Sequence, residues 1–522
     1  MTPDTENLER EMKFAVDVGF ELPNLSKVAG STLRLPQQSL NTAYFDTPDL
    51  RLWQRGITLR HRKGEEHHSG QWTMKLPEEA TDQSLDRLEL SWSGMREEVP
   101  ADATRILQGV VRRSMLGRIV VLESLRRRVV LRDGDGTELG EIDDDLVTVA
   151  HGTETGRRFR QIEFEFGNDL SPADHDDLVD ALLKKLRKAG ARPETEQKFE
   201  KALGSGAPPA RAGKGGIGRR ASLRDVVQAS IADGLDGVLD YDYRLRLDPT
   251  DPPVRAVHQA RVACRRLRSD LKTYGPLLDP AWLDHTTTEL KWIGGRLGQV
   301  RDADVLTDRL GLRQVDADSV ADGNPHLRAR LFGQRRDFCV ELAEDMKSER
   351  YLELLDRLQA AALAPPLSRA KGRLPGLGRR LRPGHPARET LPALVRRPWK
   401  ELRRRVRRAG AHPTDRQLHR IRIASKQLRY ASEAAAPVMG GVALRTAGWA
   451  EALQTVLGEH HDAVAAEEWL RLAALDGNGM TGFAAGIQVA HERRLQRKLR
   501  HEWRGVWSSL SSKKTTRWLR SG

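Results

Sequence analysis

Between residue 7 and about residue 168 the chain alternates apolar and polar positions with period two. LEREMKFAV, GITLRHRK, QWTMKLP, RLELSW, SLRRRVVLRDGDG and RQIEFEF all show it. Successive strand residues point to opposite faces, so this region predicts a sheet-rich unit. One helix is predicted near its end. Ser171 and Pro172 suit its N-cap and first position, Leu178, Val179, Leu182, Leu183 and Leu186 form an apolar stripe, and Gly190 suits its stop. Residues 204–220, GSGAPPARAGKGGIGRR, read as a flexible linker. Beyond it the strand period disappears. Residues 221–363 and 388–515 predict two helical halves of a segment 221–515, joined by a basic Pro/Gly-rich connector.

The halves are related to each other. HQARVACRRLR at 258–268 matches HRIRIASKQLR at 419–429, a shift of 161, and LGQVRDADV at 297–305 matches LGEHHDAVA at 457–465, a shift of 160. Two matches at nearly one shift predict a duplicated helical unit and a pseudo-symmetric all-α domain.

Length and charge add to this picture. A chain of 522 residues exceeds what one core organises, so at least two domains are expected. The net charge of +14 is uneven: residues 1–203 hold 30 basic and 37 acidic side chains, the remainder 57 and 36. A C-terminal part at +21 is suited to a polyanion. The two cysteines, Cys264 and Cys339, form no disulfide framework and fit a reducing cytoplasm. The opening MTPDTENLERE is polar and acidic, unlike a secretory signal, and the chain has no apolar run of about 18 residues, so no membrane partner is expected.

Parity then sorts the charges of the strand region. Glu9, Glu11 and Lys13 share one face, opposite Leu8, Met12 and Phe14. Arg60 and Arg62 oppose Leu59 and His61, Lys75 opposes Met74 and Leu76, and Glu89 opposes Leu88 and Leu90. Arg126 and Arg128 share a face, as do Glu163 and Glu165 opposite Ile162, Phe164 and Phe166. A solvated face would mix in Ser, Thr, Asn and Gln; here basic pairs and acidic pairs occupy separate strands. If these faces turn inward, buried charge of one sign needs a partner. The arginines and lysines suit phosphate, and the glutamates suit a hard cation, Mg²⁺ or Mn²⁺.

These residues carry a family resemblance. EREMK is similar to the Glu-x-Glu-x-Lys signature of the CYTH, or triphosphate tunnel metalloenzyme, superfamily. YFDTPDLRLWQRGITLRHR, TMKLP, RLEL, the arginines at 126–128, GEIDDD, IEFEF and EQKFEKAL follow in its order. The resemblance covers residues 7–203 and implies an antiparallel β-barrel tunnel with outer helices over residues 1–203. It further implies phosphate binding by Lys13, Arg60, Arg62, Lys75, Arg126, Arg128 and Lys198. Glu9, Glu11, Glu163 and Glu165 would hold metal, and together with Lys13 they form the implied catalytic set. Asp145 is preferred as a further metal ligand, with Asp143 as the alternative or a supporting residue, and Glu89 would support the basic groups. The implied mechanism is metal-assisted hydrolysis of a triphosphate.

In the helical halves, at 100° per residue, His258, Arg261, Arg265, Arg268 and Lys272 form one stripe, with Arg266 beside it. His419, Arg422, Lys426 and Arg429 repeat it in the second copy. Like charges three and four residues apart repel, so two such stripes point to an anion that offsets the repulsion. VHQARVACRRLR, LGQVRDADV, LHRIRIASKQLRY and LGEHHDAV resemble the CHAD family, named for conserved histidines and an α-helical fold, over residues 222–515. The resemblance implies a pseudo-symmetric pair of helical bundles around a basic groove that binds inorganic polyphosphate, Arg301 included. The second copy departs from the first: His461 stands for Arg301, and Glu433 stands where Lys272 would repeat. Asp302, Asp304 and Asp462 are expected to orient arginines, and His460, His461 and Asp462 to form an interhelical contact. Nucleic acid is not expected, because no known reading motif occurs and the stripes lack interleaved aromatics.

The expectation is therefore a multidomain α+β and all-α protein of the cytoplasm that binds inorganic polyphosphate or tripolyphosphate. Its first domain would be a metal-dependent triphosphatase, most suited to inorganic tripolyphosphate. A non-catalytic polyphosphate-binding or granule-targeting module is the alternative. Adenylate cyclase and thiamine triphosphatase chemistry also occur in the resembled superfamily.

Overall fold

The computed structural model describes residues 3–9, 11–26, 28–64, 70–77, 87–167, 172–205, 217–312, 324–368 and 384–519, with backbone only at 5–9, 172–176 and 324. Residues 206–216 of the expected linker, Ser171 and most of the second connector lie outside these. The chain divides into two compact units, residues 1–213 and 214–522.

The first unit is one antiparallel sheet of eleven strands. They are β1 (Thr5–Glu9), β2 (Glu11–Val16), β3 (Ser31–Arg34), β4 (Gln38–Asp46), β5 (Thr58–Lys63), β6 (Gln71–Pro77), β7 (Arg87–Ser93), β8 (Gly117–Arg132), β9 (Glu138–His151), β10 (Arg158–Phe166) and β11 (Arg192–Pro193). The order is β1-β7-β6-β5-β4-β8-β9-β10-β2-β11, with β3 on β8. No ladder joins the first strand of this path to its far end. The chain does, because Glu9 of β1 and Glu11 of β2 are one residue apart: the first half of this segment pairs with β7 and the second with β10. The sheet thus has the curvature of a tunnel wall.

The helices of this unit are α1 (Ala101–Val111), α2 (Pro172–Lys188) and α3 (Lys198–Leu203). Helix α2 follows the expected stripe and is succeeded by Gly190 at φ +100°. Its Leu178, Leu182 and Leu186 pack on Phe14, Val16, Val129, Ile142, Ile162 and Phe164, the apolar faces of β2, β8, β9 and β10. Phe199, Ala202 and Leu203 of α3 pack on Tyr44, Val120, Leu122 and Val147. Helices therefore cover the apolar side, and the ionisable side turns inward.

The second unit is all helical: α4 (Leu223–Leu247), α5 (Val254–Thr273), α6 (Pro280–Arg309), α7 (Asn324–Lys347), α8 (Glu349–Leu363), α9 (Ala387–Ala409), α10 (Asp415–Met439), α11 (Gly441–Leu475), α12 (Gly479–Ser511) and α13 (Lys513–Thr516). One apolar cluster runs through both halves, from Leu223 and Leu267 to Leu428 and Leu457. Helices α4 and α9 begin side by side: the Leu223 amide donates to the His385 carbonyl, and the Ala387 amide to that of Ala221. The reciprocal pairing marks a pseudo-two-fold relation between the copies. Both cysteines are buried and free. No described helix is long and apolar enough to cross a membrane.

Phe164 is fully buried between inward Glu163 and Glu165. Truncating it in F164A is expected to cost about 3–5 kcal/mol of unfolding free energy, read from urea denaturation. A cost under about 1 kcal/mol would contradict its place in the core under α2.

Candidate functional sites

Strand register builds the first site. Across β8, β9, β10 and β2 one inward row reads Arg128, Asp143, Glu163, Lys13, and the next reads Glu141, Glu165, Glu11. Arg126 faces Asp145, and Lys75 faces Glu89. Glu11, Lys13, Arg60, Arg62, Lys75, Arg126, Glu163, Glu165 and Lys198 converge on one cavity, joined by Tyr44, Thr58, Arg87 and Gln197.

Its floor is a buried ion network. Arg126, Glu163 and Lys198 are only 7, 8 and 7% exposed. Arg126 donates through Nε and Nη2 to both oxygens of Asp145, at 2.9 and 2.8 Å, and its other nitrogen meets Asp143. Lys198 Nζ donates to Asp145 and Glu163, each at 2.5 Å. Burial opposes every charge here, and at Arg126, Lys198, Asp145 and Glu163 the opposite charges overcome it. Lys198, Lys13 and Arg126 hold Glu163 well below the usual carboxylate range. Lys198 and Arg126 hold Asp145 at about 2. Asp145, Asp143 and Glu163 hold Arg126 well above the ordinary arginine value.

At the mouth side, Lys13 lies 2.6 Å from Glu11, and Lys75 lies 3.2 Å from Glu89. Burial opposes the Glu89 charge as well, but Lys75, Arg60 and Arg62 lower its pKa, as a support of basic groups requires.

Two expected roles change. Arg128 has the expected parity, but its guanidinium is drawn to Glu141 and does not line the cavity. Asp145 has both oxygens committed to Arg126 and Lys198. Asp143 instead keeps a buried oxygen, Oδ1, without a hydrogen-bond partner. Burial, with Glu165 and Asp145 adding to it, pushes Asp143 up to about 8 against the pull of Arg126. The side chain of Glu9 is outside the described residues. Among the described residues no three acidic, histidine or cysteine side chains form a ready metal cage. The donor chemistry still suits a hard cation: Glu11 and Glu165 stand directly opposed, a like-charge pair that is unfavourable by itself.

The second site is the seam between α5 and α10. Arg265 Nε donates to the Tyr430 hydroxyl at 2.8 Å, and the Tyr274 hydroxyl donates to the Ala434 carbonyl at 3.3 Å. The seam gathers the basic stripes of both copies. Burial and the charges of Arg265, Arg422, Arg261 and Arg268 push Lys426 down to about 6. Burial and neighbouring cations lower Arg261, Arg268, Arg422 and His258 as well, with Arg301 acting on His258. Lys272 is lowered by burial, Arg268 and Lys291; Lys291, on α6, was missed because only packing brings it near.

The aspartates orient arginines in both copies: Asp302 is 3.2 Å from Arg261, Asp462 4.0 Å from Arg422, and Asp304 2.8 Å from Arg335. His419 and His461 face each other with ring centres 4.4 Å apart. His460 Nε2 lies 3.3 Å from Asp415, without hydrogen-bond geometry. Arg266 and Arg429 share one carboxylate: Glu433 lies 3.2 Å from Arg266 and 2.7 Å from Arg429.

Comparison with known proteins places these sites in families. Residues 7–200 match the CYTH domain model and residues 229–471 the CHAD domain model. Two uncharacterized proteins of Mycobacterium tuberculosis, from strains CDC 1551 / Oshkosh and ATCC 25618 / H37Rv, are each 29% identical over 528 residues, covering 95% of this chain and 95% of theirs. Similar solved structures include PptA from Streptomyces chartreusis, 23% identical over 55% of this chain and all of that one, TM-score 0.43. The CHAD domain of Ricinus communis is 23% identical over 59% of this chain and 98% of that one, TM-score 0.45. The chain carries a CYTH domain followed by a CHAD domain. The pair ties it to triphosphate- and polyphosphate-related function, and the CYTH family to divalent-metal enzymes.

Lys426 supplies a pH test. Its charged form is disfavoured in the free seam, so an anion bound there raises its pKa and draws in a proton. If the seam takes inorganic polyphosphate, affinity should therefore strengthen as pH falls from the ordinary lysine range towards about 6, then level off. K426M should flatten this slope in titrations at constant salt, and an equally steep slope in K426M would refute the assignment.

Proposed function

We propose that the first unit hydrolyses a triphosphate with Mg²⁺ or Mn²⁺, inorganic tripolyphosphate above others, and that the second unit binds long inorganic polyphosphate along the α5/α10 seam. The supporting observation is one cavity lined by Lys13, Arg60, Arg62, Lys75, Arg87, Arg126 and Lys198 together with Glu11, Glu163 and Glu165. Guanidinium groups match phosphate oxygens in pairs, and carboxylates match a hard cation. The metal would polarise a phosphoryl oxygen and offset developing charge.

The ligand-free ion pairs explain how both could bind. Lys13 holds Glu11 and Lys198 holds Glu163. An entering triphosphate draws the amines to itself and releases the carboxylates toward metal. Glu11, Glu163 and Glu165, with Asp143 at their side and Glu9 by its place in the sequence motif, form the metal face. Asp145 orients Arg126 and Lys198, and Glu89 orients Lys75. Among the described residues that line this cavity Tyr44 is the one aromatic, and they form no apolar slot for a base. That favours an inorganic substrate over a nucleotide or a thiazole.

Phosphate release should be compared for tripolyphosphate, ATP and thiamine triphosphate with each metal. Tripolyphosphate should react fastest, chelation should stop the reaction, and E11Q/E165Q should slow it by at least about 100-fold. No release by the wild type, or an unchanged rate in the double variant, sinks the hydrolase reading.

A further inference from the structure

Helices α4 and α9 occupy matching places in the two copies, and their first residues pair reciprocally. Their charges do not match. Helix α4 carries three cations and five carboxylates; α9 carries nine cations and two carboxylates. A charge demanded by the fold would be present at both places. The basic face of α9 therefore has a cause other than packing.

Most of that face is unanswered within the protein. Glu401 holds Arg404 and Arg405. Arg397, Lys400, Arg403, Arg407 and Arg408 are exposed and have no carboxylate partner among the described residues. Arg396, Lys400, Arg403 and Arg407 fall on one line of the helix, spanning about 16 Å. Arg396, Lys400 and Arg403 also line a surface hollow with Trp399 and Leu519. This hollow lies on α9, outside the α5/α10 seam. The groups that act most on Lys426, Arg422 and Arg261 all belong to α5, α6, α10 and α11, and none to α9.

We infer that α9 is a second polyanion-binding surface, which holds a further stretch of the long polyphosphate chain bound at the seam. The inference rests on the polyphosphate reading of the helical unit. A phosphate chain fits this surface better than nucleic acid. Trp399 is 8% exposed and stacked on Trp507 at 5.5 Å, so one of its ring faces is taken and little of the ring is left on which bases could stack. Two contacts on one chain make the second intramolecular, so a chain long enough to span both binds more tightly than one that reaches only one. The helical unit would then select for chain length.

The full-length protein should be titrated with long-chain polyphosphate, tripolyphosphate and a single-stranded oligodeoxynucleotide at several salt concentrations. K400Q/R403Q/R407Q/R408Q should lose at least about tenfold in affinity for the long chain and show a shallower salt dependence. Its tripolyphosphate hydrolysis and thermal unfolding should match wild type. The milder R403Q/R407Q should show a smaller loss in the same direction. Wild-type affinity for the long chain in both variants overturns the inference and leaves the seam reading standing. Loss of oligodeoxynucleotide binding alone overturns polyphosphate as the occupant. If wild type itself fails to bind the long chain, the seam reading and this inference fall together.

Discussion

Four side chains set the terms for the first unit: Arg126 and Lys198 against Asp145 and Glu163, all nearly sealed from water. Removing such charges from solvent is costly, and attraction offsets that cost only when every partner is in place. The register supplies the partners. β8 on β9 sets Arg126 beside Asp145, and β9 on β10 and β10 on β2 align Asp143, Glu163 and Lys13. A slip of one residue would turn this row into the apolar layer beneath α2 and bring Phe164 into the tunnel. The ion network and the outer core thus specify the same register from opposite faces.

The helical unit handles charge differently. In the tunnel floor, Arg126 and Lys198 are held above their ordinary pKa by carboxylates; in the seam, Arg261, Arg268, Arg422 and Lys426 are lowered by burial and by neighbouring cations. The tunnel can rest as a self-neutralised network, while the seam keeps most of its repulsion, relieved by Asp302 at 3.2 Å from Arg261 and Asp462 at 4.0 Å from Arg422. An anion at the seam would relieve that remaining repulsion, whereas one in the tunnel would meet Arg126 and Lys198 already answered by carboxylates. A tunnel ligand would have to exchange ion pairs, and the carboxylates it freed would then call for a cation.

Strand parity made most of the tunnel legible. It named Glu11, Lys13, Arg60, Arg62, Lys75, Arg126, Glu163 and Glu165, since a face is a property of one strand alone. It could not choose between Asp143 and Asp145 or foresee the turn of Arg128 toward Glu141, because those depend on neighbours across a ladder. Arg87 was within reach, two residues before Glu89 on the same face. Tyr44, Thr58 and Gln197 carried no charge to mark them. In the helices the 100° rule found both stripes, and the internal repeat found their kinship. The stripe showed Glu433 in place of a lysine, one turn from Arg429 on α10, but not its contact with Arg266, which only the packing of α5 on α10 creates.

Duplication supplies a control that a single-copy fold lacks. What both copies share, such as Arg261 with Asp302 and Arg422 with Asp462, belongs to the architecture of the seam. What differs changes its charge. Arg301 bears on His258 with a permanent charge, whereas His461, its counterpart, faces His419 and is pushed down to about 4 by burial, Arg422 and the adjoining histidines. At neutral pH the first copy is therefore charged at that position and the second is neutral. Glu433 in place of a lysine moves the balance the same way. The seam is symmetric in shape and unequal in charge, with its stronger field on the α5 side. A linear anion lying along it would meet two sides that differ.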